Sequence, residues 1–369
     1  MVPPPLPLPV LMDELVGEIL LRVPPDQPKH LFRAALVCKP WLRILCDAAF
    51  LRRYRAFHCA PPLLGYLSAT CFTSTTSLPD FLHPRCRSDG RRTRTLPIDS
   101  RHGRVLLYVL RDDKSMDYLI WDPVTGDRHV VPVPDACCLL EAAAVLCAAH
   151  GCAHLDCHGG PFRVVLVAAY GYKDALFASV YSSESGAWSA PVSLDGSSES
   201  YVRRLADRPS NYVPYLQLRR GTLGNAIVGY DLAKNCLSII DPLARNVYYV
   251  ALMETEDCSL GFACIQGSNL YTWSRKVNSG GGAEWVQLRV MDLETMIPVA
   301  NLSGKADVAG FAEGLGAIFV STAVGLFTVK LSFGKVNKID KHGIYFSTLP
   351  YMSFYTPDRA RLLLLARDL

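Results

Sequence analysis

Cys147, His150, Cys152, His154, Cys157 and His158 crowd into one short stretch of this 369-residue chain. Thiolates and imidazoles are the side chains zinc prefers, so metal binding is the first chemistry to consider. The gaps do not reproduce two paired Cys-x-x-Cys arms, and Gly151, Gly159 and Gly160 mark a loop between strands. The favoured reading is a surface loop with free thiols, holding no metal and no cofactor. Glu254, Glu256 and Asp257 read as a solvated acidic loop rather than a catalytic pair. Arg85, Arg87, Arg91, Arg92 and Arg94 sit among Ser, Asp, Gly and Thr, the pattern of a solvated basic loop rather than a phosphate site. No Gly-x-Ser-x-Gly elbow, phosphate loop, dinucleotide fingerprint or His-Glu-x-x-His helix occurs, so nothing points to an autonomous enzyme.

The scaffold carrying that Cys/His stretch reads as short strands and tight turns. Leu119–Asp122 leads through Pro123-Val124-Thr125-Gly126 into a strand reaching Val133, and four echoes follow. They run over 178–188, 227–240, 290–295 and 329–335, each an apolar strand followed by residues that permit reversal. Echoes roughly 40–60 residues apart match the period of kelch-like propeller blades, and the chain past Pro62 suffices for about six. Arg104–Leu110, Phe162–Ala169, Gly261–Ile265 and Gly316–Ser321 are uniformly apolar enough to be strands interior to a blade. Trp121, Trp188, Trp273 and Trp285 are expected to pack blades, with one or two available to a recognition face. The aromatic segments 63–82 and 344–356 are candidates to pair and close the ring. A two-sheet sandwich is the competing arrangement.

The N-terminus follows another period. Leu11, Leu15, Ile19 and Val23 recur every four residues, widened by Val16 and Leu20, so a helix is predicted here, stopped by Pro24-Pro25. A second helix is expected from a cap at Asp26 with Pro28 in its first turn, reaching Val37. A third is expected to contain Pro40, Trp41, Ile44, Leu45 and Ala48, and a fourth to run through Phe50–Phe57. Four helices in so short a segment bury too little surface to hide all their large apolar groups. Each such group gains roughly 1.5–3 kcal/mol when buried, so a protein partner is expected to cover the surplus.

Composition is that of a folded chain, 50% hydrophobic and 20% charged. A net charge of +4 is too small to argue for nucleic acid, and no run of eighteen uncharged apolar residues exists to span a membrane. Thirteen cysteines without a disulfide framework imply reduced thiols, in cytoplasm or nucleus. The expected organisation is a flexible Pro-rich leader over 1–7, a helical domain over 8–58, a linker over 59–64 and a β domain over 65–369.

Residues 8–58 resemble an F-box. The family pattern falls on Leu11, Asp13-Glu14, Ile19-Leu20, Val23-Pro24 and Val37-Cys38-Lys39-Pro40-Trp41, with Asp47 and Phe50 trailing. Met12 stands where the family has a proline, and Pro9 lies just upstream. The whole chain also resembles plant F-box proteins, particularly from grasses, through Trp121–Arg128, Ser183–Ser189, Phe311–Gly314 and Leu349–Met352. The resemblance implies an α+β multidomain chain, a small helical F-box followed by an all-β, kelch-like propeller. It implies docking on a Skp-type adaptor, and through it on cullin and RING subunits, by Leu11, Leu15, Ile19, Leu20, Val23, Pro24, Leu36, Val37, Cys38, Lys39 and Trp41. The chain would then be a substrate-recognition subunit of an SCF-type ubiquitin ligase, presenting an unidentified target protein on its β domain. The alternative is a propeller-type binding scaffold whose helices serve a partner outside the ligase.

Overall fold

The computed structural model describes residues 12–68, 71–77, 81, 94–110, 116–134, 138–170, 173–193, 222–223, 226–240, 250–257, 259–278, 282–297, 306–340 and 348–357. The expected leader, Leu11 and the arginines at 85, 87, 91 and 92 lie outside them.

Four helices open the chain: α1 (Asp13–Leu21), α2 (Pro28–Ala35), α3 (Lys39–Cys46) and α4 (Ala48–His58). Val16, Leu20 and Leu21 form the buried side of α1, and Asp13 and Glu14 occupy its first turn, favoured by the helix dipole. Two boundaries differ from expectation. Gln27, not Asp26, precedes α2, because a residue before proline is pushed out of the helical region and so becomes the boundary itself. Asp47 is extended and its carboxylate accepts the Phe50 N–H at 2.8 Å, so Ala48 opens α4 rather than ending α3. Leu31, Phe32, Ala35, Leu45, Phe50 and Tyr54 complete the small core.

That core does not close by itself. Phe354 is buried within it and Tyr355 packs against it, as does Leu155 from a distant loop. The Phe32 and Tyr355 rings lie 5.0 Å apart and Tyr54 meets Phe354 edge-on. Arg55 pairs with Asp156 at 2.6 Å. The helices are therefore seated on the β domain and share its side chains.

The β domain is a propeller. Consecutive antiparallel strands build five blades: β3–β6 (Arg94–Arg101, Arg104–Leu110, Met116–Trp121, Arg128–Val131), β7–β11 (Cys138–Cys147, Phe162–Tyr170, Lys173–Ser182, Ala187–Trp188, Val192–Ser193), β12–β14 (Thr222–Leu223, Ala226–Asp231, Cys236–Ile240), β15–β18 (Val250–Glu254, Leu260–Gln266, Asn269–Val277, Ala283–Asp292) and β19–β22 (Ala306–Ala312, Ala317–Thr322, Gly325–Lys330, Val336–Asp340). The remaining sheet joins the two ends of the domain: β1 (Leu63–Ser68) pairs with β2 (Cys71–Ser74) on one side and β23 (Leu349–Met352) on the other. β23 neighbours β3 of the first blade and β19 of the last, which closes the ring. Among the described residues, the count of about six blades inferred from the sequence period thus resolves into five blades of consecutive strands plus a shared closing sheet.

Every strand predicted to be interior (β4, β8, β16, β20) has a partner on both sides. Their side chains fill the spaces between blades. Leu106 and Ile120 meet Val145, Val164 and Leu166 between the first two blades, and Ala251 and Ala263 meet Val308 and Ile318 between the last two.

The recurring sequence unit has a common cause. In the first, the Asp122 carboxylate accepts the N–H groups of Val124 and Thr125 at 2.9 and 3.1 Å, and Gly126 at φ +79° finishes the reversal. Asp231 does the same for Ala233 and Lys234, with Asn235 at φ +51°. Ser182 with Gly186, and Lys330 with Gly334, repeat the geometry through the carbonyl of the first residue. The unit at 290–295 departs from it: Asp292 caps a helical turn, α5 (Leu293–Met296), instead of opening a hairpin.

Candidate functional site

Two regions carry the residues singled out above: the outer side of the helices and the loop between β7 and β8.

On the helices, the predicted docking residues separate by burial. Leu20 is buried, and Val23 and Trp41 pack partly into the core. Leu15 is 48% exposed, Ile19 56%, Leu36 59% and Val37 63%, and Met12 at the N-cap of α1 is exposed too. Pro24, Cys38 and Lys39 are exposed as well. Leu15 and Ile19, one turn apart on α1 with Met12 at its N-cap, form one exposed stripe that borders the buried side built from Val16 and Leu20. Leu36 and Val37 form the corner between α2 and α3. Of the surplus apolar groups expected to meet a partner, Leu15, Ile19, Leu36, Val37 and Phe57 remain open, whereas Phe50 is consumed by the core. Glu18 is held below the usual carboxylate range by Arg53 and Arg22, which it pairs at 2.5 and 3.0 Å on the exposed flank.

Beneath the helices lies a cleft of about 240 Å³ where residues 59–61 cross the closing sheet and the first blade. Arg101, His102, His154, His158, Glu313 and Ser353 line it. Arg101 is bound to the buried carboxylate of Asp99 at 3.2 Å and approaches Glu313 at 3.9 Å. Burial alone would lower the Arg101 guanidinium, but these carboxylates outweigh it and raise it. His102 is pulled down to about 4 by burial, then by His154 and Arg101, so its neutral Nδ1 accepts the Cys147 N–H at 3.1 Å.

Asp122, His158 and Ser353 stand in line: Asp122 Oδ2 to His158 Nδ1 is 2.5 Å, and His158 Nε2 to Ser353 Oγ is 2.9 Å. Carboxylate, imidazole and hydroxyl in this order can activate a serine. Here the Ser353 hydroxyl also bonds the Phe354 carbonyl at 3.3 Å, and its N–H is given to Pro62 at 3.2 Å, so that N–H offers no oxyanion donor. The trio reads as a clamp joining the turn after β5, the β7–β8 loop and the closing strand. Burial pushes the Asp122 carboxyl up, but the bonds from His158 and Thr125 prevail and hold it below its usual 3.8. A depressed folded value means that this contribution is complete above pH 3.8 and is lost as pH falls further. Asp122→Asn is therefore expected to lower Tm at neutral pH and to flatten the acid decline of Tm below about pH 4. Parallel acid limbs for the two proteins in thermal melts would contradict this role.

The β7–β8 loop carries free thiols, as its spacing suggests, and also draws them together. Cys147, Cys152, His154 and Cys157 bring one ligand atom each to within 4.8 Å of the others. His150 and His158 stay outside this group. No sequence signal paired Asp122 and Ser353 with His158, since 36 and 195 residues separate them. The acidic string is solvated as expected, with Asp257 pairing Lys276. The tryptophans pack: Trp121 is 1% exposed, Trp188 donates to the Pro132 carbonyl at 2.7 Å, and Trp273 and Trp285 both flank Phe262.

No family model matches the chain, and no curated protein matches it. Among solved structures, a luciferin-regenerating enzyme aligns at 12% identity and TM-score 0.35, covering 67% of this chain and 76% of that one. A mutant of the Aleuria aurantia lectin in complex with Fucalpha1-6GlcNAc aligns at 12% identity and TM-score 0.35, covering 75% and 87%. A prolyl endopeptidase aligns at 13% identity and TM-score 0.28, covering 69% and 50%. Likenesses at this level assign no function.

Proposed function

We propose that this chain is the substrate-recognition subunit of an SCF-type ubiquitin ligase, with the helices docking on a Skp-type adaptor and the propeller holding a target protein. The observation that carries the reading is the exposure of Leu15, Ile19, Leu36 and Val37 on a small helical module whose sequence resembles an F-box. A module that buries Val16, Leu20, Leu31, Phe32 and Leu45 in its own core would gain nothing from displaying the others to water. Covering them removes apolar area at roughly 25 cal/mol per Å².

In this reading the chain contributes geometry and no catalytic group. The shared packing of Tyr54, Phe354 and Tyr355 fixes the helices on the ring, so a target bound on the propeller is held at a set distance from the loaded enzyme. Tethering of this kind raises effective concentration, to the millimolar range for short connections, and so accelerates transfer without new chemistry. The working compartment is cytoplasm or nucleus. The test is to mix the purified full chain with a purified Skp-type adaptor and measure the assembly by size-exclusion light scattering. A one-to-one complex is expected; two species that stay separate at micromolar concentrations would sink the proposal.

A further inference from the structure

The loop between β7 and β8 folds four potential metal ligands onto one point. Cys147 ends β7, while Cys152, His154 and Cys157 follow on the loop. The reversals that bring them together need unusual backbone: Gly151 sits at φ +64° and His154, without glycine's freedom, at φ +59°. The Cys152 and Cys157 sulfurs are 3.7 Å apart, and Cys157 Sγ lies 3.7 Å from His154 Nδ1. A tetrahedral zinc with bonds of about 2.3 Å to sulfur and about 2.0 Å to nitrogen requires edges of roughly 3.8 Å between sulfurs and roughly 3.5 Å from sulfur to nitrogen. These two separations match those edges, and all four ligand atoms lie within 4.8 Å of one another. A disulfide would need about 2.05 Å.

The surroundings fit a metal centre too. His102 stacks on the His154 ring at 4.1 Å with 13° between planes, and its Nδ1 takes the Cys147 N–H, so one neighbour orients two ligands. Arg104 donates to the carbonyls of Cys157 and Gly160, fixing the far end of the loop. Cys157 is buried and His154 exposed, which leaves an entry path on one side.

We propose that Cys147, Cys152, His154 and Cys157 form a closed structural zinc site. Three thiolates and one imidazole leave no open position, so the metal's role is to hold the chain rather than to activate water. What it holds is specific. The same loop carries Leu155 into the helical core, Asp156 to Arg55, and His158 to Asp122 and Ser353. The site therefore pins the loop by which the helices are seated on the ring, and it stands whatever partner those helices serve.

The test is metal analysis of the full chain purified under reducing conditions with zinc supplied, then desalted. About one zinc per chain is expected, retained in Cys71→Ser, an exposed cysteine on β2, and reduced at least about tenfold in Cys152→Ser and Cys157→Ser. Should those variants not fold, cobalt added to the apo form of the unaltered chain decides: intense thiolate charge-transfer bands with tetrahedral d–d absorption support the site. Wild-type chain without bound metal, equal zinc in all variants, octahedral cobalt, or a Cys152–Cys157 disulfide in place of metal would each overturn it.

Discussion

Replacing Leu15 and Ile19 together by aspartate is expected to weaken binding to a Skp-type adaptor by at least about 100-fold while leaving the melting temperature nearly unchanged. The two side chains are 48% and 56% exposed, so the free chain gives up little packing when they change. In the proposed complex they would be covered. The substitution then removes their burial, about 1 kcal/mol or more for each, and asks two carboxylates to leave water, together more than about 3 kcal/mol. Leu20→Asp makes the contrast, because Leu20 is 2% exposed and that change should unfold the helices outright. Calorimetric titration with the adaptor, beside thermal melts, reads both quantities. Unaltered affinity in the Leu15/Ile19 double variant would remove these residues from the interface and with them the docking assignment.

Gly310→Ala is expected to destabilise the ring strongly for so small a substitution. Gly310 sits at an irregularity of the β19–β20 pairing, where the Thr348 N–H donates to the Ala309 carbonyl at 2.8 Å. A Cβ at Gly310 would overlap the carbonyl oxygen of Thr348, which is backbone and cannot swing aside. Thr348 leads directly into the closing strand, so relief of that clash must shift β23 away from the last blade. A cost of about 3 kcal/mol is expected, lowering Tm by roughly 5–10 °C. Gly282→Ala, with open space around its Cβ and no positive φ, is expected to be neutral or slightly stabilising. Equal melting temperatures for the two variants would mean that the closing strand does not approach β19 this way.

Much of this architecture is legible from local chemistry. Proline placement bounds α1, α2 and α3, because each proline removes a donor and fixes one angle. Interior strands announce themselves as unbroken apolar runs, since both their faces are covered, and the aromatic ends at 63–68 and 349–352 pair as the sequence suggests. The α2 cap and the start of α4 were harder, because Asp26 and Ala48 suit more than one position and only the path of the chain decides. The unit at 290–295 has the strand and the aspartate of its echoes, but an Asp side chain caps a helical turn as readily as a hairpin. Among the proposed docking residues, a four-residue period identifies one apolar side of α1 and cannot tell Leu15 from Leu20; that needs the positions of α3 and α4. The convergence of the Cys/His loop is hidden in the sequence for a related reason. Ligand spacing tests known knuckles, whereas here a positive φ at His154 and a β-strand end at Cys147 supply the convergence.

Tyr54 is packed against Phe354, a side chain synthesised some 300 residues later. At ribosomal speeds of about 5–20 residues per second, the helices emerge and wait roughly 15–60 s before that ring exists. During the wait the segment lacks the aromatic lid on one side and keeps its oily stripe on the other. A nascent chain in this condition is a client for chaperones, and an abundant partner that captured the stripe early would shorten its exposure. Truncated products that end before Phe354 should accordingly be lost to quality control, even when every blade but the last few residues has been made.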